Sequence, residues 1–597
     1  MYRNFWSRNF WSRHPGFALG LILGPILGLS PSLATSQPAP TQTDWSASAS
    51  LPEEGRPNPY SWAPEILEEK IKSGKIHALQ YPITITGLLI PAKPSLRALN
   101  AKPGDPLFAL MRGILSLDSD FRDFRGFWKW LGLNDYPDSG PGANPSNIPY
   151  PGGEKPAFPM GVSIISRNGA DGFTLSCAAC HSSQLFGKPI LGLTNRFPRA
   201  NLFFIHGQSA LQKVDPKLFA LVTGASGAEK AMYADSRDRI ESVGLKRPTA
   251  LGLDTSLAQV ALSLAKRKAE PWAGRDPDAA RNPRANLLDT LVSDSKPAVW
   301  WNVKYKNRWL SDGSVVSGNP IFTNFLWNEI GRGADLPELV SWLESKTDIV
   351  EELTTAVFAT EAPKWRDFLS ESAIHIERAK RGQLLFQENC AHCHGSYEKA
   401  WSLETGGSAK SLDRAQNDRA QNDRAITDTI RVRYFPKAKI KDVGTDPGRR
   451  LGMRALREAL NPLEFSKRFG IVIEEQAGYV APPLEGIWAR FPYFHNNSIP
   501  NLCALMTPPE QRPEVFYTGE VVDRERDFDQ DCVGYPTGSK TPRAWRIAKD
   551  SPDHRFDTTR PGLSNAGHYD RIFRNEDRSE RYTAEQKREL IEFLKTL

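Results

Sequence analysis

The chain has 597 residues, 24% of them charged, and a formal net charge of +7 at pH 7. A chain of this length exceeds what one hydrophobic core supports, so we expect more than one domain. The charge is close to balanced, and basic residues do not alternate with aromatic ones as in a nucleic-acid groove, so nucleic acid is excluded as a partner.

The first segment, 1–34, has the pattern of a secretory signal peptide. Three arginines precede an apolar run over 17–29, and a small-residue site follows at 32–34. The run is shorter than the roughly 18 to 20 apolar residues of a membrane-spanning helix. We therefore predict a periplasmic or secreted protein with no membrane attachment after cleavage; an uncleaved anchor is the alternative.

The next segment, 35–119, is predicted to be an N-terminal extension. Its beginning, 35–65, is rich in proline, serine and threonine, as is typical of a flexible lead-in. Hydrophobic periodicity then predicts a helix over 66–76, a short strand over 81–87 and an amphipathic helix over 105–117.

The middle of the chain alternates irregular segments with helices. Proline, glycine and asparagine dominate 136–159, which predicts an irregular surface segment. Apolar periodicity predicts helices over 256–268 and 379–389. A tandem Arg-Ala-Gln-Asn-Asp repeat at 414–423 has no apolar residue larger than alanine, which indicates a solvated loop.

The last helix is predicted to begin after Thr583, because Gln586 stands three residues later in a capping-box pattern. Its apolar face has the spacing of a core-packing helix and consists of Leu590, Ile591, Leu594 and Leu597. Regular alternation of strands and helices, a GxGxxG motif and a P-loop are all absent from the sequence. The predicted fold class is mainly α, with long irregular connections.

Two Cys-x-x-Cys-His motifs carry the strongest functional signal. They consist of Cys177, Cys180 and His181 and of Cys390, Cys393 and His394. The two thiols of such a motif each bond one vinyl group of a haem, and the adjacent imidazole reaches the iron. The sequence therefore predicts two covalently bound haem c groups, with His181 and His394 as proximal iron ligands.

Other uses of the cysteines are less well supported. A zinc ribbon would require the two pairs to be close in sequence, whereas they begin at 177 and 390. A thioredoxin-like redox pair does not explain a histidine after both pairs. The single cysteines, Cys503 and Cys532, are predicted to form a disulfide in an oxidising compartment; two buried thiols are the alternative.

The sixth iron position decides what a haem does, since a filled position favours electron transfer and an open one binds small ligands. Ten histidines are present. Each one outside the two motifs is more often a surface or core residue than a ligand, so the residue types alone leave the sixth ligands open.

Several segments resemble known haem proteins. The segment 379–395 is similar to the opening of a cytochrome c domain, and 479–498 resembles the motif after the second haem in the bacterial dihaem cytochrome c peroxidase superfamily. Within it, 175–181, 297–302 and 564–568 resemble the secreted rubber oxygenases and their relatives. This resemblance implies two cytochrome c-like haem domains, which we place at 120–365 and 366–597.

The resemblance also implies different roles for the two haems. The haem at His181 would be reactive and would activate peroxide or dioxygen, whereas the haem at His394, with His568 as its second axial ligand, would transfer or store electrons. His495 and Met506 are alternative sixth ligands of the second haem. His206, shortly downstream of His181, is an alternative ligand of the first, although a structural role is favoured.

Trp300 and Trp301 match a Phe-Trp pair near the reactive haem of rubber oxygenases, which implies a catalytic role as an electron relay. The alternative is that both are ordinary core aromatics. Tryptophan stands where the relatives have phenylalanine, and no distal acid-base residue is identifiable, so substrate specificity does not transfer.

The predicted function is that of a dihaem c-type cytochrome oxidoreductase of peroxidase-like chemistry, with a small electron-donor or electron-acceptor protein as a further partner. Two alternatives remain at this point. One is a dioxygenase that cleaves an apolar unsaturated substrate, and the other is a non-enzymatic electron carrier.

Overall fold

The computed structural model describes residues 43–102, 104, 105, 107, 124–402, 425–548 and 551–597. The signal segment predicted over 1–34 and the repeat at 414–423 lie outside these residues. The helix predicted over 105–117 falls almost wholly outside them as well. The described residues belong to one unit that spans 42–597.

Nineteen α-helices occur in the described part of the chain. In chain order, α1 to α19 are Pro64–Leu79, Ala92–Leu99, Phe124–Trp130, Ala200–Lys213, Pro216–Thr223, Gly227–Ile240, Ser256–Ala265, Pro277–Arg281, Pro320–Ile330, Leu336–Ser345, Thr347–Phe358, Ile376–Asn389, Ala391–His394, Gly448–Leu460, Glu464–Arg468, Leu502–Leu505, Arg543–Ile547, Ser551–His554 and Ala584–Lys595. None of them is long and apolar enough to cross a membrane.

The strands are short. In chain order, β1 to β13 are Ile90–Pro91, Val162–Arg167, Ala170–Leu175, Ser182–Leu185, Lys188–Leu191, Val315–Ser317, Ser396–Lys399, Thr429–Arg433, Ile440–Lys441, Val472–Ile473, Tyr479–Val480, Val515–Tyr517 and Arg555–Asp557. The largest sheet has the order β1-β3-β2, and the other named strands pair as β10-β6, β11-β9, β12-β13, β4-β5 and β7-β8. All of these pairings are antiparallel.

Two large apolar clusters form most of the core. The first cluster takes buried residues from α7, α9, α10 and α11 and includes Trp300. The second cluster takes buried residues from α12 and α19 and includes Trp301. Adjacent residues of the chain therefore belong to two different cores, so the segment that holds Trp300 and Trp301 lies between them.

Several predicted elements are confirmed. Helices occur at Ser256–Ala265 and Ile376–Asn389, and 136–159 has no helix or strand. The Thr583 hydroxyl accepts from the Gln586 backbone N–H, and the Gln586 side chain accepts from the Thr583 backbone N–H, as the capping box predicts. The predicted apolar face of α19 is buried, and Cys503 and Cys532 form a disulfide.

The strand predicted over 81–87 is wrong. This segment forms turns, although Tyr81 and Ile83 are buried as the alternating pattern indicated. The Tyr81 hydroxyl donates to Glu329 at 2.6 Å, and a Cβ on Gly87 would lie 2.1 Å from the carbonyl oxygen of Arg332. The alternation therefore reflects anchoring to the end of α9 rather than pairing in a sheet.

Helices α12 and α19 are in direct contact at Gly382. A Cβ on this residue would lie 1.9 Å from the carbonyl oxygen of Glu589 and 3.0 Å from Cβ of Phe593. The rings of Phe386 and Phe593 also meet, with centroids 5.2 Å apart. A side chain at 382 therefore has no room unless the two helices separate.

We expect Gly382→Ala to lower the free energy of unfolding by about 1–3 kcal/mol, because overpacking forces the helices apart. Urea denaturation followed by far-ultraviolet circular dichroism measures this change. Gly227→Ala is the matched control, since a Cβ at the start of α6 meets no atom within 4 Å. Equal unfolding midpoints for the two variants would contradict the proposed close contact.

Candidate functional site

Both Cys-x-x-Cys-His motifs line a single cavity of about 600 Å³. The first motif begins in a 3-10 turn, Cys177–Ala179, directly after β3, and its histidine precedes β4. The second begins where α12 ends and continues through α13. Residues that are more than 200 positions apart in sequence therefore share one interior space.

His181 is held by the backbone of a distant segment. Its Nδ1–H donates to the carbonyl oxygen of Ala298 at 2.9 Å, which leaves Nε2 as the free ring nitrogen. Burial lowers the pKa of His181. A neutral imidazole whose other nitrogen is fixed by a carbonyl is the form that binds a metal.

His394 has the same arrangement. Its Nδ1–H donates to the carbonyl oxygen of Pro482 at 2.7 Å, and burial lowers its pKa to about 4. Pro482 lies in the segment 479–498, which the sequence had connected with the second motif. The rings of His181 and His394 are thus each oriented by a backbone carbonyl, although Ala298 and Pro482 lie in segments that are unrelated in sequence.

His568 stands opposite His394, and the centroids of their rings are 6.2 Å apart. Two imidazoles bound to one iron would have centroids about 6.2 Å apart, since each metal–nitrogen bond is about 2 Å and each nitrogen lies about 1.1 Å from its ring centre. Nδ1 of His568 is buried without a hydrogen-bond partner, and burial lowers the pKa of this residue to about 3. These features fit a neutral second axial ligand.

The loop that carries His568 is fixed through its backbone. The His568 N–H donates to the carbonyl oxygen of Val443 at 2.7 Å, and His568 has a φ of 53°. A Cβ on Gly567 would lie 2.4 Å from the carbonyl carbon of Gly444. Glycine at 567 thus allows two backbone segments to approach each other closely.

The other predicted ligands lie elsewhere. His495 lines the cavity, but its ring stacks on Tyr479 with centroids 4.1 Å apart. Met506 is buried in the second cluster, outside the described lining of the cavity. His206 contacts the ring of Trp130 and is likewise not among the described lining residues.

The two tryptophans are both enclosed. Trp300 is 5% exposed, and its ring centroid lies 5.7 Å from that of His181. Trp301 is fully buried, and its Nε1–H donates to the carbonyl oxygen of Glu485 at 2.8 Å. The pair therefore leads from the first motif into the second apolar cluster.

The four motif cysteines do not form disulfides with each other. Burial raises the pKa of Cys177 to about 11 and that of Cys180 to about 12, so both are neutral thiols in the chain as described. Within the described ranges, no group of three or more His, Cys, Asp or Glu side chains could hold a bare metal ion.

Sequence reasoning missed two kinds of site residue. One is the pair of carbonyls that accept from His181 and His394, although Ala298 and Pro482 both lie within segments that resemble known haem proteins. The other is a set of basic side chains that line the cavity: Lys296, Lys306, Arg449 and Arg490. Single lysines and arginines scattered over about 200 residues have no sequence signature.

Comparison with known proteins gives two related sequences. The chain is 28% identical over 233 residues to the uncharacterized protein y4iJ of Sinorhizobium fredii (strain NBRC 101917 / NGR234), a match that covers 34% of this chain and 36% of y4iJ. It is 26% identical over 355 residues to the uncharacterized protein y4iM of the same strain, which covers 55% of this chain and 73% of y4iM. The match thus spans only about a third of y4iJ.

A family match adds chemical information. Residues 478–517 match the family model described as RoxA-like, cytochrome c-like. This segment contains Pro482, whose carbonyl oxygen accepts from His394 of the second motif, and also Arg490 and His495. The chain therefore contains a RoxA-like, cytochrome c-like segment, which implies covalently bound haem c.

Proposed function

We propose that the protein is a periplasmic or secreted oxidoreductase with two cytochrome c-like haem domains and two covalent haems of unequal function. The observation that carries this proposal is the difference between the proximal histidines. His394 faces a second imidazole, that of His568, whereas the ring contact of His181 among the described residues is with Trp300. One iron would have two histidine ligands and the other an open position.

Haem c supplies reversible one-electron chemistry and, where its sixth position is open, a binding position for peroxide or dioxygen. The residues of the chain would bind and orient the haems. His394 and His568 would bind one haem iron together, an arrangement that favours electron transfer. His181 would bind the other, and the Ala298 carbonyl keeps the His181 ring oriented.

Trp300 and Trp301 are the proposed connection between the two haems. They are adjacent in sequence, enclosed, and assigned to different apolar clusters. An aromatic pair at the boundary of the two clusters would shorten the distance that an electron crosses between the two haems. A small electron-donor or electron-acceptor protein is the proposed external partner.

A second candidate is a dioxygenase that cleaves an apolar unsaturated substrate. The RoxA-like match favours it, and so do apolar cavity-lining residues such as Leu257, Val260 and Phe325.

Electron paramagnetic resonance of the purified ferric protein tests the main proposal. We expect one low-spin and one high-spin haem, with the high-spin signal changed by added peroxide. Oxygen uptake with polyisoprene or unsaturated lipid, compared with peroxide turnover, separates the two enzymatic candidates. Two low-spin haems that respond to neither peroxide nor oxygen would leave a simple electron carrier.

A further inference from the structure

Six basic side chains line the cavity together with the two motifs. Arg332 pairs with Glu329 at 3.4 Å and Lys441 is exposed, which leaves four enclosed cations: Lys296, Lys306, Arg449 and Arg490. Lys306 and Arg449 are buried, at 9% and 8% exposure, and the other two are half-buried. Among the described residues, no carboxylate oxygen lies within 4.0 Å of any of these four cations. We call this set the cation cluster.

The side chains of the cation cluster make few hydrogen bonds to the described residues. Lys296 Nζ donates to the carbonyl oxygens of Arg490, at 3.1 Å, and Pro492. Arg449 and Arg490 each donate one hydrogen bond to a carbonyl, yet their Nε atoms are buried without a partner. The Lys306 ammonium makes no hydrogen bond to the described protein residues.

The burial of unpaired cations costs free energy unless an anion binds to them. A buried cation needs a paired charge or a full set of hydrogen bonds, because the interior solvates it poorly. Two buried carboxyl groups, Asp312 and Glu485, are near, but each lies more than 4.0 Å from the cluster. Burial and Arg490 lower the pKa of Lys306 to about 8, which agrees with a missing counter-charge.

The cluster also links the supports of the two motifs. Lys296 stands two residues before Ala298, whose carbonyl holds His181. It bonds the backbone of Arg490, which follows Pro482, the support of His394. A haem carries two propionate carboxylates on one edge, and two haems would bring four such groups into this cavity.

We propose that the cation cluster would bind the propionate carboxylates of both haems. This inference rests on the proposed function, since it assumes two haems. Arginine and lysine are the side chains that pair with carboxylates in enclosed sites, and arginine can do so with two parallel hydrogen bonds. The lysines and arginines of the cation cluster do not need to contact the iron for this role.

The test replaces one cation at a time in the holoprotein. Lys306→Met and Arg449→Met each remove a positive charge from the cavity, which stabilises the ferric form of a nearby haem relative to its less positive ferrous form. We expect the reduction equilibrium of at least one haem to shift about tenfold toward the ferric form, about 59 mV for one electron. Lys306→Arg keeps the positive charge, so this variant should have the wild-type reduction potentials.

Lys399→Met is the matched control. Lys399 is also fully buried, but its ammonium is bonded to the Thr429 hydroxyl and the Thr596 carbonyl, and it does not line the cavity. Spectroelectrochemical titration measures the potentials, and the pyridine haemochrome assay counts the haems. Two bound haems with unchanged potentials in both methionine variants would overturn the propionate assignment.

Fewer than two haems in the wild-type protein would instead overturn the proposed function. If the methionine variants do not fold, the propionate assignment is tested on the wild-type protein. The measurement is the frequency of the propionate-bending band in its resonance Raman spectrum. A band at the frequency of hydrogen-bonded propionates supports the assignment, and a band at the frequency of free propionates contradicts it.

Discussion

Replacing His568 with alanine is expected to convert one of the two haems from low spin to high spin. His568 faces His394 at a ring-centre distance of 6.2 Å, the spacing expected for two imidazoles on one iron. Alanine removes the ligand and leaves a space beside the metal, while the Cα position stays fixed by the bond to Val443. The low-spin signal should therefore disappear completely from the electron paramagnetic resonance spectrum.

Added imidazole provides the sharpest control for this prediction. If His568 acts as a ligand, free imidazole should enter the vacated space and restore the low-spin signal. His495→Phe and Met506→Leu should leave the spectrum unchanged, because His495 stacks on Tyr479 and Met506 packs in the second cluster. Loss of the low-spin signal in His495→Phe alone would show that the assignment to His568 is wrong.

Removing either cysteine pair is expected to halve the covalently bound haem. The double variant Cys390→Ala/Cys393→Ala cannot form the thioether bonds of the second motif, and Cys177→Ala/Cys180→Ala cannot form those of the first. The pyridine haemochrome assay and the intact mass should each report one haem per chain instead of two. The first variant should also lose the low-spin signal, and the second should lose the high-spin signal.

The double variant Cys503→Ser/Cys532→Ser is the control for general loss of cysteine. These residues form the disulfide and lie outside the described cavity lining, so both haems should remain attached. A drop to one haem in this control, or two haems in a variant that lacks a motif pair, would contradict the assignment of the cysteines.

Local chemistry explains which features were predictable from the sequence. Haem attachment requires two thiols and an imidazole within five consecutive residues, so the motifs at Cys177 and Cys390 are visible without a structure. Helix α19 begins at a capping box whose two partners are three residues apart, Thr583 and Gln586. The disulfide followed from counting, since Cys503 and Cys532 are the cysteines outside the motifs.

Local pattern was misleading where distant contacts decided the backbone. The alternating residues over 81–87 indicated a strand, yet Tyr81 is buried because it bonds Glu329, which is 248 positions away. Periodicity records which side chains are buried, but it does not record what buries them. The same limit applies to the function of individual histidines.

By itself, the sequence determined that the chain has two Cys-x-x-Cys-His motifs, a helix that enters the second motif, a last helix with a core-packing face, and one disulfide. Only the tertiary structure decided that His568 faces His394, that the Ala298 and Pro482 carbonyls orient the rings of His181 and His394, and that a cation cluster lies in the shared cavity. The physical reason is that covalent attachment depends on neighbours in the chain. Axial ligation, ring orientation and charge compensation depend on groups that folding brings together from distant segments.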